Sequence, residues 1–194
     1  MIRAPHEIPA TGPAAAFAAS LQAVLPVLDS ERLRLRAPRI EDFETYAAIG
    51  ASERGRYLVE DNTDRDALWL DFAQMVACWL LRGHGVWTVE TRDTGKAIGF
   101  VLLGFEPGDH EPELGYLFLP EAEGHGYAQE AARAARAHAF DTLGMKTLVS
   151  TIDHDNARSI RLAERLGATR DAAAEAAHGH AIHVYRHSAE ETLQ

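Results

Sequence analysis

The sequence has one cysteine, Cys78, in 194 residues. An internal disulfide is therefore impossible, and a thiolate metal cage lacks its ligands. Cys78 also sits within an apolar helical pattern, where a buried and inert thiol is expected rather than a nucleophile. No apolar run is long enough to span a bilayer. Residues 13–28 come nearest to a secretory leader, but Ser20, Gln22 and Pro26 break the run and no small-residue cleavage site follows, so a cytoplasmic chain is expected. Positive charge is scarce: 19 Lys and Arg against 29 Asp and Glu leave a net charge of −10. This argues against a nucleic-acid or anionic-membrane surface and is compatible with cationic substrates. Gly-Lys-Ser/Thr is absent, which excludes a P-loop. Internal repeats and disordered linkers are missing too.

What remains is an ordinary globular composition, 46% hydrophobic and 25% charged, at a length that suits one domain with a sizeable core. The chain is organised around residues 113–130, ELGYLFLPEAEGHGYAQE. An apolar strand-like run stops at Pro120, a tight turn follows with Gly124 and Gly126, and an Ala-rich helix begins at Tyr127. Glycines there permit positive φ and close approach of a ligand to the backbone. The unpaired N–H groups at the start of the helix, with the positive end of its dipole, favour a phosphate. The dinucleotide fingerprint would need a third glycine where Gln129 stands. The Gly-x-Gly alone also fits a plain strand-to-helix turn.

Around this centre the pattern reads in order. Residues 1–11 form a loose polar arm. Pro13 suits a first helical position, and Phe17, Leu21, Val24 and Leu25 make an apolar stripe, so a short amphipathic helix docked on the main domain is expected. Leu33 and Leu35 alternate with arginines as a half-buried strand. A helix over 40–49 turns Phe43, Tyr46 and Ala47 inward, and 52–63 reads as a loop. A long helix over 64–81 carries the stripe Leu68, Phe72, Met75, Val76 and Trp79, whose simplest use is core packing. Runs 86–91 and 96–104, joined by a link ending in Gly95, signal a hairpin. After Gly126 a helix runs to about Leu143, with the small-residue stripe Ala128, Ala132, Ala135 and Ala139 and a stop at Gly144. A strand over 147–152, a helix capped by Asp155 or Asn156, an ambiguous Ala-rich stretch at 172–177 and a strand over 182–186 complete the chain. The order supports an α/β (α+β) fold, a mixed sheet flanked by helices. Residues 1–28 would form an arm and short helix, and 29–194 the main domain.

Gly115-Tyr116, Pro120, Gly124-x-Gly126-Tyr127-Ala128 and Glu130-Ala131 resemble motif A of the GNAT N-acetyltransferases. Residues 150–159 and Glu164-Arg-Leu-Gly167 look like the family's next motif, closest to the branch of ribosomal-protein N-terminal acetyltransferases. The resemblance covers roughly residues 28–187. It implies the GNAT fold with a mostly antiparallel central sheet, acetyl-CoA as cosubstrate without a metal, and an amine acceptor, either a small molecule or a protein N-terminus. It also implies that the central strand splays from the strand after the long helix to admit the pantetheine arm. On that basis the main chain of Tyr116, Leu117, Phe118 and Leu119 would bind pantetheine and polarise the thioester carbonyl. Gly124, His125, Gly126, Tyr127 and Ala128 would hold the pyrophosphate, Asn156 the pantetheine amide, and Arg158 the nucleotide phosphates.

Acetyl transfer needs a neutral amine. Freeing one from a lysine-like ammonium at pH 7 costs roughly 4–5 kcal/mol, and from an α-amine only about 1 kcal/mol. Glu113 stands where this branch often carries its general base, with Glu111 as the neighbouring alternative. Ala163 occupies the place of the tyrosine that many members use to protonate the thiolate, and Ser159 matches the hydroxyl this branch offers instead. Glu121 replaces a common Gln or Arg, and with Glu123 puts two carboxylates near the expected phosphates. His178, His180, His183 and His187 fit no standard zinc spacing. The competing reading is a non-catalytic acyl-CoA-binding or protein-interaction module of the same fold, as monomer or homodimer in either case.

Overall fold

The computed structural model describes residues 3–58, 64–178 and 182–189. Its centre is an eight-stranded sheet in the order β1-β2-β3-β4-β5-β6-β8-β7. The strands are β1 (Leu28–Asp29), β2 (Leu33–Arg36), β3 (Val86–Thr91), β4 (Ala97–Gly104), β5 (Glu113–Phe118), β6 (Val149–Asp153), β7 (Thr169–Arg170) and β8 (Ile182–Arg186). Every neighbouring pair is antiparallel except β5 and β6, which run parallel and meet in register only at Glu113 and Val149. The helices are α1 (Gly12–Val24), α2 (Phe43–Gly50), α3 (Arg65–Arg82), α4 (Tyr127–Ala137), α5 (Ala157–Arg165) and α6 (Ala172–His178). Among the described residues no helix is long and apolar enough to cross a membrane.

The periodicities account for most of the packing. Phe43, Tyr46 and Ala47 of α2 and Leu68, Phe72, Met75 and Trp79 of α3 are buried against Phe100 and the rest of the sheet core. Asp64 starts α3 by accepting the Asp66 N–H at 2.9 Å, and Gly83 ends it at φ 74°, the left-handed conformation a helix stop requires. Ala132, Ala135 and Ala139 are fully buried, so α4 lies close on the sheet. Ala137 passes into a π-helical turn (His138–Thr142) before Gly144. Cys78 is buried.

The structure corrects some of these expectations and completes others. The arm is pinned rather than loose: the 3-10 turn Pro5–Glu7 buries Glu7, whose carboxylate takes two hydrogen bonds from Arg65 at 2.6 and 2.9 Å. Helix α1 forms, but none of its residues is buried. The Ala-rich stretch at 172 is a seven-residue helix, started by Asp171, which accepts the Ala174 N–H at 3.0 Å. Strands β1 and β7, two residues each, are too short to leave a period in the sequence. The loop expected at 52–63 contains a 3-10 turn (Gly55–Tyr57), and residues 59–63 lie outside the described residues.

Candidate active site

The site begins where β5 and β6 part. In a continued parallel ladder the Thr151 N–H would bond the Leu114 carbonyl. Two side chains intervene instead. The Ser150 hydroxyl donates to the Leu114 carbonyl at 2.7 Å, and the Thr151 N–H donates to the Glu113 carboxyl at 3.1 Å. Beyond this point the strands diverge around a cleft of about 670 Å³. Its walls are β5, residues 150–153 of β6, the glycine turn, the first turns of α5 and, from the α2–α3 connection, Arg54, Tyr57 and Leu58.

Leu119 donates its N–H to the Ile98 carbonyl of the neighbouring chain segment at 3.0 Å. By strand alternation the main-chain groups of Leu117 also face β4, whereas those of Tyr116 and Phe118 face the gap. Of the four residues expected to bind pantetheine through the main chain, Tyr116 and Phe118 are therefore placed for it. Leu117 lines the cleft by its side chain, and Leu119 is not part of the wall.

At the turn, Gly124 and Gly126 have φ of 79° and 78°, and Gly126 caps α4. A methyl group added at Gly124 would meet nothing within 4 Å, so conformation rather than crowding requires glycine there. The first N–H groups of α4 open beside the cleft with Tyr127 and Ala128. His125 does not join them. Its side chain is exposed and stacked on Tyr127 at 5.5 Å, and its carbonyl accepts from Arg32.

Across the gap, Asn156 caps α5 by accepting the Ser159 N–H at 3.2 Å, and both residues line the cleft. Asp155 does not cap the helix; it pairs with Arg56 at 3.0 Å. The two acidic residues of the turn behave differently. Glu121 is exposed and lies 3.6 Å from Lys96, away from the cleft wall. Glu123 lies on the wall between Arg54 at 2.6 Å and Arg158 at 3.7 Å, and its bond with Arg54 holds its carboxyl below the usual range. Arg161 and Arg165 also line the cleft. At i, i+3 and i+7 from Arg158 they form a cationic stripe on α5 in a chain of net charge −10. Those two arginines and Arg54 were missed in the sequence; the helical spacing of 158, 161 and 165 is the signal that could have found two of them.

The carboxylates before and at the start of β5 also separate. Glu111 is gripped by Arg186 at 2.6 and 2.7 Å and by Thr147, and these bonds hold its carboxyl at about 2. Glu113 accepts from Thr151, whose N–H lies at 3.1 Å, but burial outweighs this and pushes the carboxyl up to about 7, with Asp109 and Glu106 adding to the effect. A group near 7 accepts and releases protons at neutral pH; one near 2 does not. Beside Glu113 stands Tyr116, which sequence reasoning had used only for its main chain. Its hydroxyl donates to the Ser159 carbonyl at 3.1 Å, and burial together with the Glu113 charge raises its pKa. The phenol therefore stays protonated.

The C-terminal histidines fall in separate places. His187 is buried with Nε2 3.0 Å from the Ser150 hydroxyl, and burial pushes its pKa down to about 4. His183 stacks on His154 at 4.1 Å and faces Glu175 at 3.3 Å. His178 lies against His110, and His180 is outside the described residues.

Comparison with known proteins identifies the family and the fold. Residues 32–169 match the family model described as acetyltransferase (GNAT) domain. The uncharacterized N-acetyltransferase YoaA of Bacillus subtilis (strain 168) is 28% identical over 147 residues, 74% of this chain and 83% of that protein. The crystal structure of an acetyltransferase from Agrobacterium tumefaciens str. C58 superposes with a TM-score of 0.76 at 36% identity, covering 84% of this chain and 94% of the other. The microcin C7 self-immunity acetyltransferase MccE, solved with acetyl-CoA and AMP, shares the fold at a TM-score of 0.61 and 16% identity, over 81% of this chain and 93% of that one.

Proposed function

The chain belongs to the GNAT family of N-acetyltransferases, and on that premise we propose that it moves the acetyl group of acetyl-CoA directly onto a primary amine with Glu113 as general base. The observation that carries this reading is the Glu113 carboxyl, held by Thr151 at the mouth of the strand gap and poised near pH 7. The acetyl-CoA complex of the fold neighbour MccE and the shape of the gap support the cosubstrate.

In this reading the pantetheine arm extends along β5 against the main chain of Tyr116 and Phe118, and Asn156 reaches it from α5. The pyrophosphate lies on the N–H groups after Gly126, near Arg54 and Arg158. The amine arrives as an ammonium, drawn by the negative field of Glu113, Asp109 and Glu106. Its proton passes to the Glu113 carboxylate, directly or through a water. The free nitrogen attacks the thioester carbonyl carbon, and a main-chain N–H of β5 stabilises the oxyanion. As the C–S bond breaks, the Ser159 hydroxyl gives its proton to the departing sulfur and takes up the second proton of the attacking nitrogen, directly or through a water, so that a neutral amide and a thiol are left and the serine is restored. Tyr116 holds the Ser159 turn in place. The acceptor is a small-molecule amine or a protein N-terminus.

Thiol release from acetyl-CoA, measured with a panel of lysine-like amines, polyamines and peptide N-termini across pH 6–10, tests the proposal. Amine-dependent release whose rate rises through a pKa of about 7 is the expected result. Tight cofactor binding without release on any amine would leave a binding module instead.

A further inference from the structure

Residues 8–28 carry no charged side chain, although 25% of the chain is charged. Within them lies α1, which buries none of its residues. Phe17, Leu21 and Val24 are 66%, 40% and 78% exposed, and they stand at i, i+4 and i+7, a single stripe of the helix. A helix of 13 residues is marginal in water unless one face is packed. This helix is nonetheless fastened at both ends. Before it, Glu7 is locked by Arg65 and the His6 ring lies 4.9 Å from Trp69. Toward its end, the Gln22 amide donates to the Pro38 carbonyl at 3.2 Å, and the Trp87 indole donates to the Pro26 carbonyl at 2.8 Å. The fold holds an apolar helix in a fixed place and leaves its stripe without a partner among the described residues.

We propose that a second copy of this chain covers the stripe, α1 against α1 about a two-fold axis. Charge selects that occupant. Two molecules of net charge −10 repel over most of their surfaces, and a charge-free face lets them meet without that penalty. An anionic lipid surface is a poor match, because the segment has no Lys or Arg to attract it. Shape points the same way. Phe17, Leu21 and Val24 project between Ala14, Ala18 and other alanines, so one helix carries both the knobs and the gaps that an isologous contact needs. With Ile8 and Val27, 57% and 52% exposed beyond the two ends, the two copies together would bury roughly 1,000 Å², the lower edge of a specific interface. A contact of that size suits a weak, reversible dimer. Helix α1 lies outside residues 32–169 and contributes nothing to the cleft wall, so pairing and catalysis are separable.

Sedimentation velocity on the full chain from about 1 to 100 μM tests this, because a reversible dimer responds to concentration. The wild-type chain should pass from monomer to dimer within that range. Phe17→Glu with Val24→Glu sets carboxylates against each other and should raise the dissociation constant at least about tenfold, with thiol release unchanged. Phe17→Ala with Val24→Ala keeps a strong helix former and removes only the knobs; it should weaken the dimer as well, and it carries the test if the acidic variant misfolds. A wild-type chain monomeric throughout, or a dimer indifferent to the alanine variant, would overturn the proposal. So would a monomer that co-floats with zwitterionic vesicles, since the face would then belong to lipid.

Discussion

In the proposed mechanism Glu113 ties activity to stability through one proton. Its ordinary value of 4.5 is raised to about 7 by burial, so the native state binds that proton more tightly than the unfolded chain does. Between those values stability falls as pH rises, and the full penalty is present above about 7. Glu113→Gln removes the penalty. The variant should match the parent near pH 4.5 and exceed it at pH 8 by about 1–2 kcal/mol, less than the full shift because the residue keeps some solvent contact through the cleft. Urea unfolding at the two pH values measures this, and equal stability at both would mean that the carboxyl is not strained in the native state. The same variant should lose about 10²–10⁴ in kcat on a lysine-like amine at pH 7, and the loss should shrink as solution deprotonates the amine. An α-amine acceptor should lose much less. Full activity on every amine would remove Glu113 as base, and Glu111, fixed at about 2 by Arg186, could not replace it.

In the proposed reading the glycine turn and the helix behind it form one element of the cofactor site. Gly126 sits at φ 78°, where a β-branched residue is strained, and its added side chain would project beside Arg32 at the head of α4. Gly126→Val should weaken acetyl-CoA binding by at least roughly tenfold, about 1.4 kcal/mol, by calorimetry. Unchanged affinity would move the pyrophosphate away from this turn. The neighbouring acidic pair provides a sharper test because its two members face different ways. Glu123 occupies Arg54 and Arg158, so Glu123→Gln should free both guanidinium groups and tighten binding, most visibly at low salt. Glu121→Gln, on a side chain turned to Lys96, should change nothing. Equal effects from the two would mean that the arginines do not approach the phosphates.

At the scale of the whole molecule, the sheet is clamped at one end so that it can open at the other. Arg186 of β8 binds Glu111, which precedes β5, and Asp171, which follows β7, and Glu111 also bonds Thr147 before β6. These contacts lie at the end where β5 and β6 pair, and the strands diverge beyond it. Because the Glu111 carboxyl is held at about 2 against an ordinary 4.5, its contribution is present above 4.5 and is lost as pH falls toward 2. Glu111→Gln should therefore lower stability at pH 7, by about 1–2 kcal/mol for so partly exposed a pair, and the difference from the parent should vanish near pH 2. A difference that persists in acid would assign the effect to packing. The distribution of charge makes a second molecular prediction. Arg54, Arg158, Arg161 and Arg165 gather at the cleft of a chain with net charge −10, so acetyl-CoA affinity should fall with ionic strength despite the overall sign. Affinity that rises with salt would show that the long-range acidic field dominates.

Local pattern was enough to determine a good deal. The alternation of Leu33 and Leu35, the stripe from Leu68 to Trp79, the hairpin link at Gly95 and the strand–glycine–helix run ending in Tyr127 each depend on spacing within a few residues, and spacing is what a sequence displays. The mixed sheet followed from those elements and their order, and the family from the resemblance of residues 115–131 and 150–167 to its motifs. Only tertiary structure could separate chemically equal residues. Glu111 and Glu113 differ by two positions, yet a guanidinium from β8 claims one and the parting of two strands buries the other. Glu121 and Glu123 are divided by Lys96 and Arg54, each distant in sequence. The apolar stripe of α1 resembles a buried face in every local respect, and only the placement of the rest of the chain leaves it uncovered. A pKa or a face takes its value from the sum of its neighbours in space, most of which arrive from elsewhere in the chain.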